Sequence, residues 1–392
     1  MSKSFSAREL LLSAHSGKRL SYGEGLFLLQ EADLLDLGWA ANEVRRRFHP
    51  DEEPVTFVID RNVNYTNVCN AYCTFCAFYE PPGSQNGYVL PYETIKEKTR
   101  ELVDLGGTQL LIQGGHNADL GIEYYEDLLG SIRRDFPGLT IHGLSPSEID
   151  HICRVSEISL ERVLERLIEA GLSSIPGGGA EILSERVKKI ISPAKMSAAR
   201  WLEVMESAHA LGLKTTATMM FGSVDTAEDR LEHLLRVRDL QDRTGGFTAF
   251  IAWSFQPGNT PLSRRVKQLT TASDYLKMVA VARLMLDNVK NIQSSWVTQG
   301  SALGQTAFGF GANDFGGTML EENVVSAAGT HHHVTLASMI DCIHQSGRDA
   351  AQRDTQYNIL RLYPKPNQAV AGSMEFSNTI SGITTKQALN CP

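Results

Sequence analysis

One rhythm in the chain limits its fold more than any other feature. Short apolar, β-branched runs alternate with helical patterns, and a glycine often marks the changeover. The runs are 55–62, 109–114, 140–144, 172–175, 214–221, 247–255, 291–297 and, weakest, 311–315. Runs this short and this apolar suit strands buried on both faces, as parallel strands are. The segments between them carry helical stripes. Leu160, Val163, Leu164, Leu167 and Ile168 recur at the spacing of one buried helix face, and Gly171 stands where a left-handed cap ends such a helix. Trp201, Val204, Met205 and Ala208 repeat the stripe before Gly212, and 226–244 repeats it before Gly245 and Gly246.

Strand followed by helix, about eight times over, predicts an α/β protein of the (β/α)8 TIM-barrel type, with a partial barrel of six units as the alternative. The length of 392 residues suits one such barrel with additions. Residues 1–50 read as a separate helical segment, leucine-rich and ending at Arg45–Arg47, that packs on the barrel as a cap or floor. Residues 51–363 hold the barrel and a C-terminal helical part. Residues 364–392 have few large apolar side chains and no periodicity, and read as a poorly ordered tail.

A net charge of −8 argues against a nucleic-acid binder, which needs a basic face. No apolar run is long enough for a membrane span, and the first residues carry no signal-peptide core. Six cysteines, three of them within eight positions, point to a ligand cluster in a reducing compartment rather than to a disulfide framework. A cytoplasmic protein is expected.

Those three are Cys69, Cys73 and Cys76, spaced Cys-x3-Cys-x2-Cys directly after the first strand. A barrel keeps its chemistry at that end of its strands. Three thiolates on one loop can each take one iron of a 4Fe-4S cube, which leaves the fourth iron without a protein ligand. The amino and carboxylate groups of S-adenosylmethionine can fill that vacancy. A zinc site is the rival, but it wants a fourth Cys or His at similar spacing and the loop has none. Phe75, just before the third cysteine, lines the adenine pocket or shields the cluster from water.

Other strand ends add candidates. Gln113, Gly114, Gly115 and His116 follow the second strand, and paired glycines there let the methionine part of a ligand approach the backbone. Ser145-Pro146 follows the third. Three consecutive glycines and then Glu181 follow the fourth, so Glu181 could take the ribose hydroxyls or simply begin a helix. Gln256–Thr260, Thr298-Gln299 and Asn313-Asp314 come after later strands, and 321–326 is polar enough to line a pocket. His331–His333 reads as an exposed helix start sooner than as a metal site.

The cysteine loop, with its Cys-Ala-Phe-Tyr79 ending, resembles the radical S-adenosylmethionine superfamily. It is most similar to the branch that includes the menaquinone enzymes of the futalosine route and the deazaflavin synthases. Gly177–Ile182, Pro193–Ser197, Phe247–Ile251, Trp253–Asn259, Ser295–Gln299 and Gly311–Gly329 look like the members that cyclise dehypoxanthine futalosine. The resemblance runs from about residue 8 to about 363. It implies one 4Fe-4S cluster on Cys69, Cys73 and Cys76 and S-adenosylmethionine bound by Phe75, Gln113, Gly114, Gly115, Ser145 and Glu181. It also implies dehypoxanthine futalosine as substrate and an electron donor such as flavodoxin or ferredoxin. Glu181, His116 and Asp314 are the candidate bases. The rivals are aminofutalosine or deazaflavin synthesis within the branch, and a plain 4Fe-4S electron-transfer protein outside it.

Overall fold

A computed structural model describes residues 6–366. Three helices come first: α1 (Ala7–His15), α2 (Tyr22–Glu31) and α3 (Leu34–Phe48). The barrel then follows in chain order: β1 (Val55–Val58), β2 (Asp60–Asn64), α4 (Tyr92–Asp104), β3 (Gln109–Gln113), α5 (Ile122–Asp135), β4 (Thr140–Gly143), α6 (Pro146–Ser156), α7 (Leu160–Ala170), β5 (Ser174–Ile175), α8 (Glu185–Ile191), α9 (Ala198–Ala210), β6 (Lys214–Phe221), α10 (Ala227–Thr244), β7 (Phe247–Ser254), α11 (Ala272–Met285), β8 (Asn291–Gln293), α12 (Trp296–Gln299), α13 (Ser301–Thr306) and β9 (Asp314–Gly317). Then come α14 (Val324–Ala327), α15 (Leu336–Gln345), β10 (Ala350–Arg353) and β11 (Ile359–Tyr363).

β1 and β2 are two halves of one strand on either side of Ile59. From β2 the sheet runs through β3, β4, β5, β6, β7 and β8 to β9, with each neighbour parallel. β9 then pairs with β1, Thr56 opposite Asp314 and Val58 opposite Gly317, so the sheet returns onto the strand where it began. The alternation of apolar run and amphipathic helix thus forms a (β/α) barrel. In α7 the predicted face is the buried one: Leu160, Val163, Leu164 and Leu167 lie inside. α10 begins with Thr226 and Asp229 capping each other and stops at Gly245, which is left-handed at φ +59°. α2 and α3 lie against the outer barrel helices α10 and α11. The approach is close enough that a Cβ on Gly25 would come 2.5 Å from the Met285 sulfur.

Two expectations need correction. The run 291–297 is not one strand. β8 ends at Gln293, and from Trp296 the chain coils, with the Trp296 indole N–H donating to Gly317 O at 2.9 Å. The eighth strand begins at Asp314 rather than ending near it, because Gly311, at φ +97°, is still turning the chain. The hairpin of β10 and β11 was not anticipated. β10 pairs parallel with β1 at the foot of the barrel and antiparallel with β11. From residue 367 on, the expected tail lies outside the described residues.

Candidate active site

β2 delivers the chain to the mouth of the barrel, and the cysteine loop is tied there on three sides. Gly115 N donates to Thr66 O at 2.9 Å and Asn70 N to His116 O at 3.1 Å, which fastens the loop to the end of β3. Cys69 N donates to Glu80 O at 2.9 Å, and Thr74 N to Ile191 O at 2.9 Å at the end of α8. A Cβ on Gly115 would stand 2.2 Å from Val68 O, so this glycine is needed for the loop to lie against β3 at all.

Cys69, Cys73, Cys76 and Phe75 line one cavity of about 170 Å³ with Gln113, Gly114, Gly115, His116 and Ser145. Cys69 and Cys73 are buried and Cys76 half-buried. Burial pushes the Cys73 thiol up to about 12, against the pull of nearby Lys195. A thiol so hard to ionise becomes a thiolate ligand once a metal supplies positive charge. Among the described residues no three His, Cys, Asp or Glu side chains converge on one metal ion. A tetrahedral zinc needs that convergence. A cube does not, since each thiolate meets a different iron. The donor set therefore fits a 4Fe-4S cluster better than zinc.

The glycines behave partly as expected. Both line the cavity, but their N–H groups are engaged within the protein: Gly115 N on Thr66 O, and Gly114 N on Glu148 Oε1 at 2.8 Å. Glu148 was not foreseen as a site residue. It is fully buried, and burial raises its pKa. Its oxygens accept from Gly114 N, from the Tyr65 hydroxyl at 2.9 Å, and from Ser145 N at 2.8 Å and Oγ at 2.6 Å. One carboxylate thus holds together the ends of β3 and β4. The sequence did carry a signal for it: Ser145 and Glu148 stand three apart before an apolar run, the spacing of a helix capping box.

Glu181, in a left-handed backbone at φ +43°, points inward. Lys195 Nζ lies 3.1 Å from its Oε1 and Lys188 Nζ 3.5 Å from its Oε2. Burial would raise its pKa, but the two ammonium groups hold it below the usual carboxylate value. Lys195, also missed, stands 5.4 Å from the centre of the Phe75 ring and lines the cysteine cavity.

A second cavity of about 300 Å³ occupies the barrel interior, walled by Ile251, Trp253, Trp296 and Met319 and polar at Asn62, Gln109, His142 and Gln293. Gln113, Gly179 and Val324 line both cavities, so the interior opens toward the cysteines. Thr298 from α12, Glu322 from the loop after β9 and Val325 from α14 face it. The 256–260 loop packs over 327–330, with Asn259 Nδ2 donating to Ala327 O at 3.0 Å and Thr330 Oγ1 to Gln256 Oε1 at 2.7 Å. His331–His333 are exposed.

Of the three candidate bases, Glu181 faces the interior cavity and His116 faces the cysteine cavity. His116 is stacked on His151 at 4.8 Å, and burial keeps it neutral by pushing its pKa well down. Asp314 does not belong with them. It sits at the foot of the barrel, fully buried, accepting from Arg353 Nε at 2.6 Å, Arg353 Nη2 at 2.9 Å and Thr56 Oγ1 at 2.6 Å. The start of a parallel strand lies opposite the mouth, and a carboxylate gripped by a guanidinium in this way is engaged within the chain.

Comparison with known proteins gives the family. Residues 63–237 match the radical SAM superfamily model, and 244–366 match the CofH/MqnC C-terminal region. The chain is 48% identical to the cyclic dehypoxanthine futalosine synthase of Halalkalibacterium halodurans, over 90% of this chain and 95% of that protein. It is 46% identical to the Streptomyces coelicolor protein of the same name, over 93% and 92%. The aminodeoxyfutalosine synthase of Thermus thermophilus is 39% identical over 89% and 94%. Among solved structures, methylornithine synthase superposes with a TM-score of 0.68 at 18% identity, covering 86% of this chain and 96% of that one, a likeness of fold.

Proposed function

The chain belongs to the radical S-adenosylmethionine superfamily, in the group that includes the cyclic dehypoxanthine futalosine synthases, and from that we propose that it cyclises dehypoxanthine futalosine in menaquinone biosynthesis. The observation that carries the reading is identity of 48% and 46% to two cyclases along nine-tenths of the chain, against 39% to the aminodeoxyfutalosine synthase. The catalytic unit is 51–363, with helices α2 and α3 packed outside it.

A bound cluster and S-adenosylmethionine would supply the radical chemistry that joins the substrate's ribose to its benzoate ring. The chain's own residues do the rest. Cys69, Cys73 and Cys76 would each hold one iron. Phe75, Gln113, Gly114, Gly115 and Ser145 shape the cofactor cavity, and Lys195 and Lys188 keep Glu181 ionised beside it. The interior cavity holds the substrate between Trp253 and Trp296. Its walls exclude water, which keeps a reactive radical from side reactions. The base is Glu181 or His116, the two candidates that face a cavity. His116, being neutral, has the free lone pair a base needs. An acidic one-electron carrier such as flavodoxin or ferredoxin supplies the electron, and the enzyme works in the cytoplasm.

The test is anaerobic reconstitution, reduction with dithionite, and mass spectrometry after S-adenosylmethionine and dehypoxanthine futalosine are added. Deoxyadenosine together with a product two hydrogens lighter than substrate is expected. Deoxyadenosine without that product would move the reaction to another substrate of the branch. No deoxyadenosine from a fully loaded cluster would overturn the radical reading.

A further inference from the structure

We propose that the outer face of the cysteine loop is the docking surface for an acidic one-electron carrier protein, and that Arg264, Arg265, Lys267 and Lys189 are the charges that receive it. The proposal rests on the radical reading above, which requires an electron to reach the three cysteines from outside.

Thr74, between Cys73 and Cys76, joins two surface segments. Its N–H donates to Ile191 O at 2.9 Å, and its carbonyl accepts from Leu262 N at 2.8 Å. Leu262 lies in a short 3-10 helix, Pro261–Arg265, whose last two residues are Arg264 and Arg265. Lys267 follows two positions later, and Lys189 stands two positions before Ile191 in α8. All four are exposed, and among the described residues none forms an ion pair. Elsewhere on the outer helices several arginines are matched to a carboxylate, as Arg166 is to Glu126 and Arg243 to Glu206. Unmatched cations flank the one loop through which an electron must pass.

The surface also has an apolar part. Tyr72, adjacent to Cys73, is 51% exposed in a left-handed backbone at φ +49°, and Leu269 is 62% exposed. Asp225 and Asp274 line the same hollow as Arg265, Lys267 and Leu269, but Asp225 is already paired with Arg230 at 2.7 Å. Apolar residues among a surplus of cations suit a small, transient electron-transfer interface, in which complementary charge raises the encounter rate more than the affinity. The step itself makes and breaks no bond. One electron leaves the reduced flavin of a flavodoxin, which ends as its semiquinone, and arrives on the cluster.

The test is to mix flavodoxin hydroquinone with the cluster-loaded, full-length protein in a stopped-flow cell and follow flavin oxidation, without the substrate. For the wild type the rate should fall steeply as KCl is raised. For the R264E/R265E/K267E variant it should be roughly tenfold to a hundredfold lower at low salt and nearly flat with KCl, by the loss of electrostatic steering. Reduction by dithionite, a small ion that needs no docking, should stay within about twofold of wild type by the same reasoning. An R264Q/R265Q/K267Q variant should lie between. Equal flavodoxin rates in wild type and charge-reversed protein would overturn the proposal. So would a wild-type rate that does not respond to KCl, and that result stands even if the reversed variant folds poorly. A wrong substrate assignment leaves these rates unchanged, whereas a wrong radical reading shows up first as a protein that holds no cluster.

Discussion

At the foot of the barrel, Arg353 grips Asp314 with two nitrogens at 2.6 and 2.9 Å, and Thr56 closes the remaining side. At the mouth, the Cys73 thiol is buried beside Cys69 and Cys76 and pushed up to about 12 by burial, against the pull of Lys195. Both ends are polar and buried. The foot satisfies its charges from within the chain and so stabilises the fold. The mouth gathers three thiols on one loop, a donor set suited to a cluster. An ionisable group at a strand end is therefore informative about function only once its partners are known.

The sharpest way to break this contrast is at the mouth. Replacing Cys69, Cys73 or Cys76 by Ala should abolish S-adenosylmethionine cleavage while circular dichroism and the thermal midpoint stay near wild type. Iron content and visible absorbance report the cluster directly. A Cys73→Ala protein that still made deoxyadenosine would remove that cysteine from the ligand set.

The foot should respond in the opposite way. Asp314→Ala leaves the Arg353 guanidinium buried without its counter-ion, a change that costs about 3–5 kcal/mol. Urea unfolding should show the loss, while deoxyadenosine formed per folded molecule should hold. Lost chemistry without lost stability would restore Asp314 to the catalytic candidates.

How much of this was legible beforehand follows from where the signals are local. Most of the strands, the stripe of α7, the left-handed Gly245 and the position of the cysteine loop after the first strand are patterns within a few residues, and these stand where the sequence implied. Asp314 was misplaced because its strand, Asp-Phe-Gly-Gly, has almost no β-branched character, so its ends could not be told apart. β10, Ala-Ala-Gln-Arg, was invisible for the same reason, since it is a strand only because β1 offers it an edge. Lys195 was in plain view, but a lysine's partners lie across the fold, and only the folded chain brings it 3.1 Å from Glu181.

A third test titrates the foot. Burial raises the Asp60 carboxyl to about 6, against the pull of Met319 N–H and Arg353. The folded state therefore holds this proton more tightly than the unfolded chain, whose value is near 3.8. The associated stability is fully present below about pH 4 and is lost as pH rises through about 6. A shift of about two units corresponds to about 3 kcal/mol at most. Other carboxylates titrate in the same window, so the comparison is between wild type and Asp60→Asn. The difference in urea midpoint between the two proteins should change between pH 4 and 7 and be constant above. A difference that is flat across the whole range would show that Asp60 titrates normally.

Glu148 lies between the two cases, because it is satisfied like the foot but stands at the mouth. Its carboxylate receives four donors, two from the backbone at Gly114 and Ser145 and two from hydroxyls. Glu148→Gln keeps the shape but exchanges one accepting oxygen for an N–H2 group, which can satisfy a hydroxyl but not a backbone N–H. Whichever way the amide turns, Gly114 N or Ser145 N loses its acceptor, at about 1–3 kcal/mol. If Glu148 only caps α6, the thermal midpoint falls and binding is untouched. If it positions the wall of the cofactor cavity, S-adenosylmethionine should bind the cluster-loaded variant about tenfold more weakly, equivalent to about 1.4 kcal/mol. Iron content and kcat at saturation should hold. Calorimetric titration of the reconstituted protein separates the two roles, and unchanged affinity would leave Glu148 with the structural residues of the foot.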